Sequence, residues 1–573
     1  MATEPETVSG FAALERQEHA LIGHLTGGLS PLALATAGFD WWTHLVASPV
    51  KQAELWHKGW SDALSLSHFA CEAARGAAPD TEATDKRFRA EEWAQFPFNV
   101  MAQSFLKTGD WWDAATRDVY GVEEKHERIV NFAARQILDT VSPGNVPLTN
   151  PTVLKKTIDE RGDNLVRGWR YFREDLDLLL GGQRETGEYI VGETVAATPG
   201  RVVFRNRLIE LIAYEATTKT VHSEPLLIVP AWIMKYYILD LSERNSLVRW
   251  LTAQGFTVFM VSWTNPREMD RELSLEDYRR EGFEAALDTV SRLIPDTRIH
   301  VAGYCLGGSL LSIGAATLAQ QNDTRLASMS LLAAQVDFED AGELTLFINE
   351  SQIAFLEDIM AEQGYLRADQ MAGAFKMLRS NDLIWSRVIR HYLLGERSRM
   401  NDLMAWNADA TRMPARMHSE YLRQLFLDND LAENRYRVDG KPLSLTDLKV
   451  PIFALGTERD HVSPWHSVFK IASLTDTDVT FALASGGHNG GVVTQPGKGG
   501  SHYRIETLSH DAPFVSADDW FARNPERDGS WWTAWSEWLA GRSGAQRVNA
   551  AEREVCLFAE ASDDAPGQYV RER

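Results

Sequence analysis

The sequence is poor in the features that mark several classes of protein. It holds three cysteines, Cys71, Cys305 and Cys556, which lie far apart and form no CxxC pair. This spacing argues against a disulfide framework and gives no zinc-type pattern, so we expect a reducing compartment and no bound metal. No stretch reaches the roughly 18 apolar residues that span a bilayer, and the N-terminus lacks the basic start and apolar core of a signal peptide. The sequence therefore predicts a cytoplasmic protein without a transmembrane segment.

Positive charge is also scarce. The 58 Lys and Arg residues are outnumbered by 80 Asp and Glu residues, which gives a net charge of −22. Such a charge repels nucleic acid, so we expect no nucleic-acid partner. The hydrophobic share of 44% and the charged share of 24% are those of an ordinary folded protein, and 573 residues are enough for two or three domains. A large packed enzyme is the default expectation.

The first third of the chain has the pattern of successive helices. From about Leu14 to Leu180, apolar residues recur at three- and four-residue spacing. We place an α-helical N-terminal domain at residues 1–190, because Gly, Thr and Pro become frequent near its end. Its many tryptophans either anchor helices to one another or form an apolar docking surface for a partner or polymer. They are Trp41, Trp42, Trp56, Trp60, Trp93, Trp111 and Trp112.

Residues 191–573 have a different pattern. Short apolar runs alternate with longer helical stretches, which predicts an α/β fold with a mostly parallel sheet covered by helices on both faces. This alternation of strands and helices is interrupted at about 338–449, and we interpret this stretch as a helical insertion. Ligands of such sheets bind at the carboxyl ends of the strands, so the insertion is well placed to act as a lid. The tail after Gly541 is polar, and we expect it to be poorly ordered.

The strongest local signal is the run GYCLGG at 303–308, which follows the strand-like RIHVA and precedes a helical stretch. It has the form of a nucleophile elbow with cysteine in place of serine. Glycine permits the tight turn, the helix N-terminus favours a thiolate on Cys305, and the Leu306 N–H can donate to an oxyanion. A buried structural cysteine in a glycine-rich turn is the alternative when the motif is taken alone.

An acid and a base follow in the order that such an elbow requires. Asp460 comes after the strand-like PIFALG, and His488 ends the run VTFALASGGH one strand–helix unit later. Each alone could be a helix cap or an ordinary loop histidine, but with Cys305 they predict a catalytic triad in an α/β-hydrolase-type fold. We expect His461 to help orient this triad. The second oxyanion N–H is expected from the loop after LLIVP, at Trp232.

With these motifs the chain resembles the polyhydroxyalkanoate synthases, and specifically their class I type, which makes poly-3-hydroxybutyrate. The similarity extends over nearly the whole chain. Its blocks are DTVSPGNVPLTNP at 139–151, TPGRVVFRN at 198–206, PAWIMKYYILDLS at 230–242, VSWTNP at 261–266, LRSNDLIW at 378–385, and MAWNAD and MHSEYLR in the insertion. The block PAWIMK departs from the usual PPWINK of this family at Ala231 and Met234, beside the presumed oxyanion loop.

The resemblance implies an acyltransferase that polymerises 3-hydroxyacyl-CoA, with 3-hydroxybutyryl-CoA as the expected monomer, through a thioester on Cys305 and with release of CoA. It also implies a homodimer that associates with the growing polyester and the granule surface. No cofactor is expected, because CoA arrives as part of the substrate. Arg387, Arg390 and Arg397 are candidates to contact CoA phosphates, although a solvated helix face is the other interpretation. A Cys-dependent thioesterase or esterase, or a silent granule-binding scaffold, are the alternative functions.

Overall fold

The computed structural model describes residues 18–19, 22, 29–76, 85–179, 188–371, 373, 380–397 and 399–573, and its chain divides into two compact units. The helical unit comprises Thr26–Glu185 together with Ala372–Arg399. The sheet-containing unit comprises Met1–Leu25, Thr186–Met371 and Met400–Arg573. Residues 372–399 lie inside the predicted insertion, yet they cluster with the helical unit.

Six α-helices account for most of the described part of the helical unit. They are α1 Pro31–Ala47, α2 Pro49–Ala74, α3 Phe98–Thr116, α4 Glu124–Thr140, α5 Pro151–Asp159 and α6 Asp163–Leu179. Proline begins α1, α2 and α5, where its missing N–H costs no helical hydrogen bond. Ser30 and Asn150 cap α1 and α5 with side-chain oxygens that accept backbone N–H groups.

The tryptophans of the helical unit fall into two groups. Trp41 and Trp111 donate their indole N–H groups to backbone carbonyls of neighbouring helices, at 2.9 and 3.0 Å. Trp56 and Trp60, on α2, are instead 79% and 70% exposed. The first group therefore packs helices together, and the second presents apolar surface.

Among the described residues, eleven strands form one sheet. They are β1 Gly200–Arg205, β2 Ile209–Tyr214, β3 Leu226–Val229, β4 Val258–Trp263, β5 Ile299–Tyr304, β6 Leu326–Leu332, β7 Ile452–Thr457, β8 Val479–Ala484, β9 His502–Leu508, β10 Arg527–Asp528 and β11 Asp563–Asp564. Their order across the sheet is β10-β9-β8-β7-β6-β5-β3-β4-β2-β1-β11. The strands from β8 to β4 run parallel and are buried along their whole length, as expected under two helical layers. This central part confirms the predicted sheet, and antiparallel strands extend it at both edges.

Helices flank this sheet along its length. They are α7 Leu247–Ala253, α8 Leu275–Asp277, α9 Ala285–Leu293, α10 Leu306–Gln320, α11 Glu350–Gln363, α12 Asp402–Asn407, α13 Ala415–Glu420, α14 Trp465–Phe469, α15 Ile471–Leu474, α16 His488–Val492, α17 Ala517–Arg523, α18 Trp531–Ala540 and α19 Ala550–Leu557. Helix α10 is the most enclosed, since all its residues from Leu306 to Leu318 are buried. Among the described residues, no helix combines the length and apolarity needed to cross a bilayer.

Short antiparallel ladders complete the secondary structure. They pair Thr220–His222 with Arg547–Asn549, Asp240–Ser242 with Asn245–Ser246, Tyr365–Leu366 with Met413–Pro414, and Arg437–Val438 with Lys441–Pro442. Between β6 and β7 the chain forms α11, α12, α13 and a π-helical segment, Tyr421–Leu427, that continues α13. Tyr421 of this segment packs against Trp232 in the loop after β3, with ring centroids 6.4 Å apart. Part of the insertion therefore covers the carboxyl end of the sheet.

The polar tail after Gly541 is ordered, so the sequence prediction for it is wrong. It contains α19 and it adds β11 to the sheet edge beside β1. Leu557 and Val570 are buried, and the Glu572 carboxylate accepts the backbone N–H of Asn265 at 2.8 Å. Backbone hydrogen bonds and a few buried side chains hold the tail in place. A composition that is mostly polar does not reveal these contacts.

Candidate active site

Cys305 lies in a tight turn between β5 and α10. Its φ of 51° is in the left-handed region, where residues with a Cβ are strained. Strained backbone of this kind is frequent at functional sites. Close packing requires the neighbouring glycines, because a Cβ on Gly307 would lie 2.1 Å from the Val229 oxygen. A Cβ on Gly303 would lie 2.4 Å from the Gly308 Cα. The backbone therefore forms the strand–turn–helix arrangement that the run GYCLGG predicts.

The two amides considered for an oxyanion hole belong to backbone segments beside this turn. Leu306 is the first residue of α10, and first-turn amides of a helix have no intrahelical acceptor. Trp232 lies in the loop after β3, and this loop contacts the turn, since a Cβ on Gly307 would lie 2.6 Å from the Pro230 oxygen. The Thr411 hydroxyl donates to the Trp232 carbonyl and fixes the loop from the insertion side. Both backbone segments therefore lie beside the turn that carries Cys305.

Asp460 follows β7 and has partners at both carboxylate oxygens. Its Oδ1 accepts the backbone N–H groups of Val462 and Ser463 at 2.9 and 2.8 Å. Its Oδ2 accepts the Thr457 hydroxyl at 3.2 Å and lies 2.8 Å from Nδ1 of His488. These contacts hold the carboxylate in one orientation, with its charge directed at the imidazole.

His488 begins α16, directly after β8, and its imidazole contacts both Asp460 and Cys305. Burial acts to lower the pKa of His488, but the charges of Asp460 and Cys305 and their hydrogen bonds raise it well above its ordinary value. A carboxylate on one side and the Cys305 sulfur on the other favour the protonated form of the imidazole. The structure thus brings together the three residues predicted as a triad.

His461 is the second histidine that the sequence places near the acid. It follows Asp460 in the chain and is half-buried, whereas the imidazole bonded to the Asp460 carboxylate is that of His488. The imidazole bonded to the acid is therefore that of His488, and the orienting role expected of His461 stays a prediction.

Tyr421 belongs to a cluster of large aromatic side chains. Burial and then the charge of Cys305 raise the pKa of Tyr421. The Tyr421 ring also packs edge-on against Trp232 and Phe338, with centroids 6.4 and 6.2 Å apart. Rings from the loop after β3 and from the insertion therefore pack against one another.

Sequence reasoning missed Tyr304, Asn489 and Tyr421. The Tyr304 hydroxyl donates to Oδ1 of Asn489 at 2.6 Å, and its ring centroid lies 5.8 Å from that of His488. A signal existed for the first two, because Tyr304 precedes Cys305 and Asn489 follows His488 in the sequence. Tyr421 lies in the family-like block MHSEYLR, but no spacing rule connects it to the elbow.

Two of the three arginines considered for CoA phosphates have acidic partners. Within the helical unit, Arg387 Nη2 lies 3.0 Å from Oδ2 of Asp175, and Arg397 pairs with the same carboxylate. Arg390 is exposed. Because acidic side chains already pair with Arg387 and Arg397, the case for a phosphate-binding role rests on Arg390.

The fold and the site define a member of the α/β-hydrolase class. A family model described as alpha/beta hydrolase fold matches residues 224–492. Two further models, described as Poly-beta-hydroxybutyrate polymerase N terminal and Poly-beta-hydroxybutyrate polymerase (PhaC) N-terminus, match residues 9–51 and 84–251. The family matches therefore extend into the helical region as well as the sheet.

Curated relatives give the particular family. The poly(3-hydroxyalkanoate) polymerase of Methylorubrum extorquens is 42% identical over 494 residues, which cover 85% of this chain and 81% of the relative. The PhaC subunit of the Rhizobium meliloti polymerase is 38% identical, with 93% and 85% covered, and that of Cupriavidus necator is 35% identical, with 85% and 83% covered. The chain belongs to the poly(3-hydroxyalkanoate) polymerases and is an acyltransferase. These comparisons confirm the resemblance seen in the sequence.

Proposed function

We propose that the chain polymerises 3-hydroxyacyl-CoA and carries the growing polyester as a thioester on Cys305. The observation that supports this mechanism is the connected set of Asp460, His488 and Cys305 in a chain of the polymerase family. The substrate and the polyester are then its partners. No cofactor is needed, because CoA enters as part of the substrate.

Acylation begins with proton transfer from Cys305 to His488. Nδ1 of His488 faces Asp460 at 2.8 Å, so Nε2 is the nitrogen that takes the thiol proton. The sulfur attacks the thioester carbonyl, and the bond between the carbonyl carbon and the CoA sulfur breaks as the intermediate collapses. His488 gives its proton to CoA, which leaves as a free thiol, while Asp460 stabilises the imidazolium.

Two backbone amides are proposed to stabilise the intermediate. The N–H groups of Leu306 and Trp232 would bind the oxyanion, since both belong to segments that meet at the elbow. The helix dipole of α10 adds positive potential at the same place. The departure at Met234 alters a side chain, whereas alanine instead of proline at 231 frees the backbone φ and adds an N–H beside Trp232.

Chain extension needs a base for the 3-hydroxyl of the next monomer. The two candidates are His488 itself and Asp460 acting through His461. The contacts at both oxygens of Asp460 support His488, because little of the carboxylate is left to receive another proton donor. The hydroxyl oxygen attacks the Cys305 thioester, an ester forms, and the freed sulfur then attacks the CoA thioester of the lengthened chain.

A short monomer is proposed from the aromatic cluster around Tyr421. Tyr421 packs against Trp232, which follows β3, and against Phe338, so large rigid rings rather than small side chains occupy this part of the insertion. This aromatic cluster is the reason for proposing 3-hydroxybutyryl-CoA as the preferred substrate. A medium-chain monomer would require these rings to move.

Assembly and location are proposed from the helical unit. Exposed tryptophans such as Trp56 and Trp60 support contact with an apolar partner, either a second copy in a homodimer or the surface of a polymer granule. The family assignment supports a cytoplasmic enzyme bound to such granules.

One assay tests the mechanism. Purified protein is mixed with 3-hydroxybutyryl-CoA, thiol release is followed, and the acyl product is identified by its mass and solubility. We expect insoluble polyester from the wild type and none from Cys305→Ala, while Cys556→Ala, which alters an exposed cysteine, retains full activity. Release of CoA with only monomeric acid would instead show a thioesterase with the same triad, and activity in Cys305→Ala would remove this cysteine from the mechanism.

A further inference from the structure

A hydrogen bond joins the residue before Cys305 to the residue after His488. Tyr304 is the last residue of β5, and its hydroxyl donates to Oδ1 of Asn489 at 2.6 Å. The buried Tyr304 ring also faces the imidazole of His488, with centroids 5.8 Å apart and planes tilted by 33°. Tyr304 therefore contacts the imidazole with its ring and holds the neighbouring residue with its hydroxyl.

The short helix that begins at His488 needs such support. α16 spans only His488–Val492 and contains two glycines, and its N-cap, Gly487, makes no side-chain capping bond. Gly486 before it has a φ of 115°. A glycine-rich segment of this length has little conformational preference of its own, so tertiary contacts must fix it.

The two ends of α16 are held from different elements. At its C-terminal end, the buried indoles of Trp531 and Trp532 donate to the carbonyls of Gly491 and Val492 at 3.1 and 2.8 Å. At its N-terminal end, the bond between Tyr304 and Asn489 ties the helix to the strand that carries Cys305. Of these contacts, the bond between Tyr304 and Asn489 is the one next to the reacting imidazole.

We propose that Tyr304 and Asn489 form a clasp that positions His488 against Cys305. Tyr304 is then a positioning residue, since it acts through the imidazole and Asn489. The inference rests on the proposed roles of Cys305 and His488. Without the clasp, the imidazole keeps its bond to Asp460, but it can turn about that bond and Nε2 no longer stays directed at the sulfur.

Three variants separate this role from simple packing. Tyr304→Phe removes only the hydroxyl, Asn489→Leu removes the acceptor at similar volume, and the double variant removes both. Tyr569→Phe is the matched control, because the Tyr569 hydroxyl makes a bond of the same 2.6 Å length to the Asn206 carbonyl. Each variant is assayed for kcat and KM with 3-hydroxybutyryl-CoA across pH, with melting temperature recorded to verify folding.

We expect Tyr304→Phe to lower kcat about tenfold, the effect of one hydrogen bond of ordinary strength at the transition state, with KM unchanged. The alkaline limb of kcat should move to lower pH. Contacts with Asp460 and Cys305 raise the pKa of His488, so a looser imidazole loses its proton at a lower pH. The double variant should be no worse than Asn489→Leu, because both changes break the same bond.

The outcomes are distinct. Unchanged kcat and an unchanged pH profile in Tyr304→Phe, with Cys305→Ala inactive, would overturn the clasp and leave the proposed function intact. Additive losses in the double variant would also overturn it. Activity in Cys305→Ala would overturn the proposed function itself. Should Tyr304→Phe fail to fold, Asn489→Leu carries the same test.

Discussion

Asp460 is the most constrained side chain of the site. Its carboxylate accepts two backbone N–H groups and one hydroxyl before it meets the imidazole. Because it cannot rotate away, its charge and geometry act on His488 together. This is what allows a buried imidazole to hold a proton despite desolvation.

Replacing that acid should affect both the rate and its pH dependence. Asp460→Asn removes the charge that raises the pKa of His488, so that pKa falls and the alkaline limb of kcat moves to lower pH. The amide also favours the wrong tautomer, and we expect kcat to fall on the order of 10³- to 10⁴-fold. Asp478→Asn is the matched control, because Asp478 faces His510 at 2.9 Å but lies on the surface. Equal losses in the two variants would contradict the prediction.

The sequence predicted the members of the triad but not what surrounds them. Cys305, Asp460 and His488 follow strand-like runs at regular intervals, and those runs were visible as apolar stretches. Tyr304 and Asn489 are far apart in the chain, and their bond depends on how the fold places the end of β5 next to the segment after β8. Such a contact needs coordinates, even though each residue borders a member of the triad.

At the scale of elements, burial explains what could be predicted. The central strands are apolar along their whole length, so their pattern was plain in the sequence. The outer strand β9 is only half-buried, and the edge strand β11 has two residues, so neither gives a clear pattern. The ordered tail escaped prediction for the same reason.

The elbow depends on close contact between α10 and the end of β3. Gly307→Ala would place a Cβ 2.1 Å from the Val229 oxygen, a backbone atom that cannot move aside cheaply. We expect this variant to lose about 3 kcal/mol of unfolding free energy or more, together with activity. Urea unfolding measures the change.

A glycine without such a contact provides the comparison. Gly109 lies within α3 and an added Cβ meets nothing within 4 Å. Gly109→Ala should stabilise the protein by about 0.5 to 1 kcal/mol, because alanine is the better helix former. Similar stability in the two variants would mean that the elbow tolerates a side chain at 307.

The whole molecule carries a net charge of −22, and the proposed substrate carries the phosphates of CoA. Enzyme and substrate therefore repel each other at long range, which slows encounter at low ionic strength. Two arginines of the insertion that could have offset this repulsion are already paired with Asp175. The repulsion due to the net charge of the protein should therefore control the rate at which the substrate approaches.

Salt should consequently accelerate the reaction at low substrate concentration. Raising the ionic strength from about 0.01 M to 0.15 M shortens the Debye length from about 30 Å to about 8 Å and screens the repulsion. We expect kcat/KM for 3-hydroxybutyryl-CoA to rise several-fold over this range. The N-acetylcysteamine thioester of the same acid is the control, because it lacks the phosphates and should show no such rise. A fall with added salt would mean that a local basic entrance outweighs the total charge, and exposed Arg390 would be the first residue to replace.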